Sequence, residues 1–169
     1  YMGFSHGITA ADIDNDGDID VITPHIKWES VRGGGKIYCH INDGKGNFTV
    51  KWCADQFAHA VTTGDYNGDG HVDLMASHGW HQSPAYKHNQ TVILFGDSSG
   101  KFGKSKSTKK WLYPEPAYDI YGSGYMLTDV IGPVSWDFDN DGDVDIAGSS
   151  IGPLYVGGTH TVWANDGKG

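Results

Sequence analysis

Several absences narrow the chain before any motif is read. No apolar run approaches the roughly 20 residues that a membrane-spanning helix needs. Basic side chains are few, 12 Lys and Arg against 21 acidic residues for a formal charge of −9, and no basic stripe offers a face to a nucleic-acid backbone. No Ser is paired with a His and an orienting acid, and no phosphate loop or Cys/His zinc spacing occurs. The run Gly33-Gly-Gly35 has no flanking helix that would make it a nucleotide site. Glutamate is almost missing: only Glu29 and Glu115 occur, so Asp supplies 19 of the 21 acids. What is abundant is glycine, with 25 residues, and aromatics at 12%. The 169 residues suffice for one ordinary domain with a sizeable core.

Thirteen of the 19 aspartates fall in three short clusters. These are Asp12-Ile-Asp-Asn-Asp-Gly-Asp-Ile-Asp20, Asp65-Tyr-Asn-Gly-Asp-Gly-His-Val-Asp73 and Asp137-Phe-Asp-Asn-Asp-Gly-Asp-Val-Asp145. All fit D-x-[DN]-x-D-G-x-x-D. Each is entered from a short apolar stretch and leaves into another, as in Val21-Ile-Thr23, Leu74-Met-Ala76 and Ile146-Ala147. Short length and β-branched content favour strands over helices. Alternating runs follow at Lys36–Ile41, Thr91–Phe95 and Thr161–Ala164. They lead into related Gly-rich hairpins at Asn42–Phe48, Gly96–Phe102 and, cut short, Asn165–Gly169.

The unit is therefore strand, acidic loop, strand, variable loop, strand, hairpin and usually a fourth strand. Spacings between clusters are 53 and 72 residues, the longer one absorbing an insertion around Lys109–Tyr125. A four-stranded unit at this period predicts an all-β chain of β-propeller blades. The expected repeats cover residues 4–53, 57–106 and 129–169, the last incomplete. Three blades do not close a ring, so residues 1–169 are expected to be a partial propeller within a larger ring of roughly seven blades.

Carboxylates at loop positions one, three, five and nine surround one point with hard oxygens. Calcium accepts six to eight such ligands in flexible geometry, whereas magnesium demands a stricter shell. The expected side-chain ligands are Asp12, Asp14, Asp16 and Asp20; Asp65, Asn67, Asp69 and Asp73; and Asp137, Asp139, Asp141 and Asp145. Backbone carbonyls of Asp18, His71 and Asp143 would complete the shells of about three Ca²⁺ ions. Gly17, Gly70 and Gly142 permit the turn. An EF-hand does not fit, because its twelfth position needs Glu and here holds Thr23, Ala76 and Gly148. One cluster alone would read as a solvated acidic turn; three with one spacing argue for cations. The middle loop, one carboxylate poorer, is expected to be weakest.

These loops, with their strands and the Asn-Asp-Gly-x-Gly-x-Phe hairpin, resemble the FG-GAP/VCBS-type repeats of integrin-like propellers. The resemblance implies a structural calcium inside each blade and an extracellular setting, on the ligands just named. The chain departs from the pattern at Ala11 and Trp136, where the second repeat has Gly64. It also implies further blades or subunits to complete the ring, but no particular activity.

His6 and His59 precede their loops by six residues, and His25 and His78 follow position nine by five. These four are candidates for inter-strand hydrogen bonds, for a polar ligand, or for metal or base chemistry near a propeller axis. The starts His6-Gly7 and His59-Ala60 also resemble propellers of some sugar lyases and dehydratases, including the fungal aldos-2-ulose dehydratase type. Trp28, Trp80, His81, Tyr113, Tyr118 and Tyr121 are either blade packing or stacking platforms for sugar. Cys39 and Cys53 flank one hairpin almost symmetrically, as a cross-strand disulfide or as two buried thiols. Asn47-Phe-Thr49 and Asn89-Gln-Thr91 match the glycan acceptor pattern.

The expected function is a calcium-stabilised extracellular scaffold or recognition module for protein or glycan, with no nucleic acid and no membrane span. The alternatives are a carbohydrate-active lyase or dehydratase using the histidines, and a purely architectural part of a surface assembly.

Overall fold

The computed structural model describes residues 7–25, 35–56, 58–77, 91–103, 106–107, 130–151 and 158–167. His6, His78, Trp28, Trp80, His81, Tyr113, Tyr118, Tyr121, Asn89 and the insertion around 109–125 lie outside them. The described chain is all-β and forms three antiparallel meanders. The first sheet is β1 (Thr9–Ala11), β2 (Asp20–His25), β3 (Lys36–Asn42) and β4 (Phe48–Ala54) in that order. The second is β5 (Ala60–Gly64), β6 (Asp73–Ser77), β7 (Val92–Leu94) and β8 (Lys106–Ser107). The third has three strands, β9 (Val130–Trp136), β10 (Asp145–Ile151) and β11 (Gly158–Trp163), ordered β11-β10-β9. Among the described residues the sheets do not close into a ring or barrel.

Each acidic cluster joins the first two strands of its sheet, and register keeps the three repeats equivalent. Val21, Leu74 and Ile146 each follow the ninth loop position and pair with His40, Leu94 and Trp163. The sheets stack in chain order, with the second in the middle. One core joins Ile22, Ile37, Cys39 and Ile13 to Val61, Leu74, Ala76 and Leu94. The other joins Tyr66, Met75 and Ile93 to Ile146, with Val144 and Trp163 against it. Burial on both faces explains why β6 reads Leu-Met-Ala without alternation, while β2 alternates buried and half-buried residues.

The first strands of neighbouring sheets meet through hydroxyls at equivalent positions. Thr9 Oγ1 lies 3.0 Å from Thr63 Oγ1, and Thr62 Oγ1 lies 3.0 Å from Ser135 Oγ. In each pair the residue three before a loop touches the residue two before the next loop. Cys39 and Cys53 form a disulfide across the β3–β4 hairpin, with Cα atoms 6.0 Å apart.

Candidate metal centres

The three loops fold by one hydrogen-bond plan. The first carboxylate accepts backbone N–H groups from later in its own turn, which curls the chain around it. Asp12 takes Asp16 and Gly17 at 3.0 and 2.9 Å, and Asp137 takes Asp141 and Gly142 at 3.1 and 3.0 Å. Asp65 takes Gly68, Asp69 and Gly70 at 2.8–3.1 Å. The fifth side chain then accepts the seventh N–H: Asp18 to Asp16, His71 to Asp69 and Asp143 to Asp141, all at 2.9–3.0 Å. Such a turn needs left-handed backbone at the fourth and sixth positions. Asn15, Gly68 and Asn140 have φ of 58°, 72° and 62°, and the glycines at the sixth position lie at 83–98°. The fourth position was a missed constraint. Its signal was present, since Asn and Gly are the residues that tolerate this region.

Asp20, Asp73 and Asp145 are fully buried, at 0% exposure, and they act as latches. One oxygen of each accepts the N–H of the second loop residue: Ile13 at 3.1 Å, Tyr66 at 2.9 Å, Phe138 at 2.9 Å. The other accepts the N–H that opens the hairpin of the same sheet: Asn42 at 2.8 Å, Gly96 at 2.8 Å, Asn165 at 2.7 Å. A carboxylate oxygen has two lone pairs, so this bonding leaves each oxygen able to face a cation as well. The hairpins press onto the loops. A side chain at Gly44 would collide with the Asp18 carboxylate, and one at Gly167 with that of Asp143. Asn42 Nδ2 holds the Ile19 carbonyl at 3.1 Å, and Asn165 Nδ2 holds the Val144 carbonyl at 3.1 Å.

The loops differ in what they gather. Carboxylate oxygens of Asp12, Asp14 and Asp16 lie within 4.8 Å of one another, as do those of Asp137, Asp139 and Asp145. Both groups are able to hold a metal ion. Asp20 is not in the first group and Asp141 is not in the third. In the middle loop Asn67 stands at the third position and donates its Nδ2 to Asp69 at 3.0 Å. The Asp14 carboxyl is raised by burial and by Asp16, Asp20 and Asp12, against a lowering from Lys51. Asp139 is raised by desolvation and by Asp141, Asp145 and Asp137. Asp69 is instead lowered by the N–H of His71 and the amide of Asn67. Asp14 Oδ1 is buried and accepts no hydrogen bond, as expected of an oxygen that a cation would satisfy. The donor set is all hard oxygen, which suits calcium, magnesium or manganese rather than zinc or copper.

The remaining candidates lie elsewhere. His59 is buried, and its backbone N–H donates to the Ser77 carbonyl at 2.8 Å. His25 packs edge-on against Tyr38 with ring centroids 5.7 Å apart. Among the described residues, neither joins an acidic group able to hold a metal. The exposed Asn47 donates its Nδ2 to Asp43 Oδ2 at 2.8 Å, which ties its amide into the hairpin. No protein-family model and no curated protein matches this chain.

Proposed function

We propose that the chain is a set of calcium-binding blades from an FG-GAP/VCBS-type propeller, serving outside the cell as a scaffold or a recognition surface for protein or glycan. The observation that carries this reading is the common build of the loops. Three segments far apart in sequence use the same N–H to carboxylate bonds, and two of them crowd three carboxylates within 4.8 Å. Uncompensated, such crowding is repulsive. A Ca²⁺ at each loop would join its ligands to the hairpin through the ninth-position latch, so that metal and sheet stabilise one another.

The propeller form is supported by the stack of meanders with first strands side by side. Further blades are supported by flanks that stay bare where the inner faces are covered. Phe138 is 43% exposed where its equivalents Ile13 and Tyr66 are buried, and Ile19 is 56% exposed where Val72 and Val144 pack into cores. The disulfide supports an oxidising, extracellular setting.

Native mass spectrometry of the chelator-treated chain titrated with CaCl₂ tests the metal. The expected result is up to three added Ca²⁺, with loss of one in Asp12→Ala and of one in Asp137→Ala. No uptake at millimolar calcium would refute the reading.

A further inference from the structure

Loops of neighbouring repeats touch, and the contact runs through residues that shape both cages. Asn15 is the fourth residue of the first loop, between Asp14 and Asp16, and its Nδ2 donates to His71 Nδ1 at 3.1 Å. His71 is the seventh residue of the second loop. Its own N–H is held by Asp69, and its carbonyl is the one expected to face the second cation. The hairpin of the second sheet also lies on the first loop. A Cβ at Gly100, where φ is +70°, would sit 3.4 Å from both Asp14 Cβ and the Ile13 carbonyl. The second and third repeats meet differently: Asn165 Nδ2 donates to the Tyr66 carbonyl at 2.9 Å, and Tyr66 OH lies 2.7 Å from Ser135 Oγ.

The geometry points to energetic coupling between the first two cation loops, with Asn15 and His71 as the residues that transmit it. This inference rests on the calcium reading above and concerns how the sites depend on one another. Filling the second loop fixes the His71 backbone and thereby aims its ring at Asn15. Asn15 in turn holds the left-handed turn that brings Asp14 and Asp16 together. The effect is reciprocal, because coupling between two binding equilibria acts equally in both directions. An exposed hydrogen bond sets the scale, so each loop changes the affinity of the other by about threefold to tenfold.

The test is a CaCl₂ titration of the metal-free, ¹⁵N-labelled chain, followed at the amides of Gly17, Gly70 and Gly142. Each of these N–H groups bonds the first carboxylate of its own loop, so each reports one site. His71→Ala is expected to raise the calcium midpoint at Gly17 by about threefold to tenfold and leave Gly142 unchanged. Asn15→Gly, which tolerates the left-handed backbone, is expected to raise the midpoint at Gly70 by the same factor although the substitution lies in the first loop. Asn140→Gly, its counterpart in the third loop, should leave Gly17 and Gly70 where they were. A Gly17 midpoint that His71→Ala does not move, or a Gly70 midpoint that Asn15→Gly does not move, overturns the coupling while leaving the calcium sites standing. No response at any of the three glycines overturns the calcium reading and the coupling with it.

Discussion

The first and second sheets are built from the same four-stranded meander and the same loop, yet they are held in different ways. The second is covered on both faces, and every residue of β6 is buried. Among the described residues, the first is covered on one face only. Its other face carries Val50 and Trp52 at 56% exposure, with Lys36 Nζ set 4.4 Å over the Trp52 ring and 2.7 Å from Asp55. The first sheet also has what the second lacks, a disulfide between its last two strands. A repeat can thus keep its local plan while drawing its stability from neighbours in one copy and from a covalent tie in another.

The comparison breaks most visibly if the shared latch is not equally important in both sheets. Asp73→Ala leaves the buried N–H of Tyr66 and the half-buried N–H of Gly96 without acceptors, and Asp20→Ala does the same to Ile13 and Asn42. A buried unsatisfied donor costs about 1–3 kcal/mol and a half-buried one less, so a loss of about 2–4 kcal/mol is expected in either variant. Denaturant unfolding in chelator isolates this loss from metal binding. A much smaller loss in one sheet would mean that the latch is not a common structural element. Burial should then separate the sheets. Leu74 is fully buried and its equivalent Val21 half-buried, so Leu74→Ala is expected to cost about 2–5 kcal/mol and Val21→Ala less than about 1.5 kcal/mol. Equal losses would show that the outer face of the first sheet is covered in solution.

The disulfide tests the other half of the contrast. A sequence separation of 14 residues predicts a stabilisation of about 3 kcal/mol from the restricted unfolded chain. Cys39→Ala/Cys53→Ala should therefore lower stability by about that amount, plus some loss of packing because Cys39 lies in the core. If protection from hydrogen exchange falls first in β3 and β4 and leaves β6 intact, the tie is local, as the comparison requires. Uniform loss across both sheets would merge them into a single cooperative unit.

Features repeated along the chain could be read from residues alone. The spacing of the acidic loops, the strands beside them and the Gly-rich hairpins of the first two sheets are local patterns that reappear in the fold, and the Cys39–Cys53 disulfide decides a pairing that the residues left open. What escaped was chiefly non-local. Asp20, Asp73 and Asp145 were expected as ligands alone, because nothing at the ninth position says that a segment 20 or more residues later will donate an N–H to it. The Asn15–His71 bond spans 56 residues and exists only because the sheets stack in chain order. Thr9, Thr62, Thr63 and Ser135 looked like ordinary strand residues until stacking paired their hydroxyls. The histidines are legible only as a recurrence: His25 packs edge-on against Tyr38 and His59 is buried, while their counterparts His78 and His6 lie outside the described residues.

The smallest effect concerns the second loop position, where a covered repeat and a bare one differ by a single hydroxyl. Tyr66 is completely buried between the second and third sheets, and burial, with Asp73 nearby, drives its phenol well above the ordinary range. It therefore stays un-ionised and can share a hydrogen with Ser135 Oγ at 2.7 Å, which also lies 3.0 Å from Thr62 Oγ1. Phe138 occupies the same place in the third loop, is 43% exposed, and has no hydroxyl to place. Tyr66→Phe removes the hydroxyl while keeping the ring, so the expected loss is about 1 kcal/mol, the usual net worth of one hydrogen bond. Ser135→Ala should cost a similar amount, and the double variant should cost less than the sum because both remove the same bond. Phe138→Tyr, which adds a hydroxyl on the bare flank, should change stability by less than about 0.5 kcal/mol. A cycle in which Tyr66→Phe and Ser135→Ala add fully would show that the hydroxyls are near one another without being coupled. The contact between the second and third sheets would then rest on apolar packing alone.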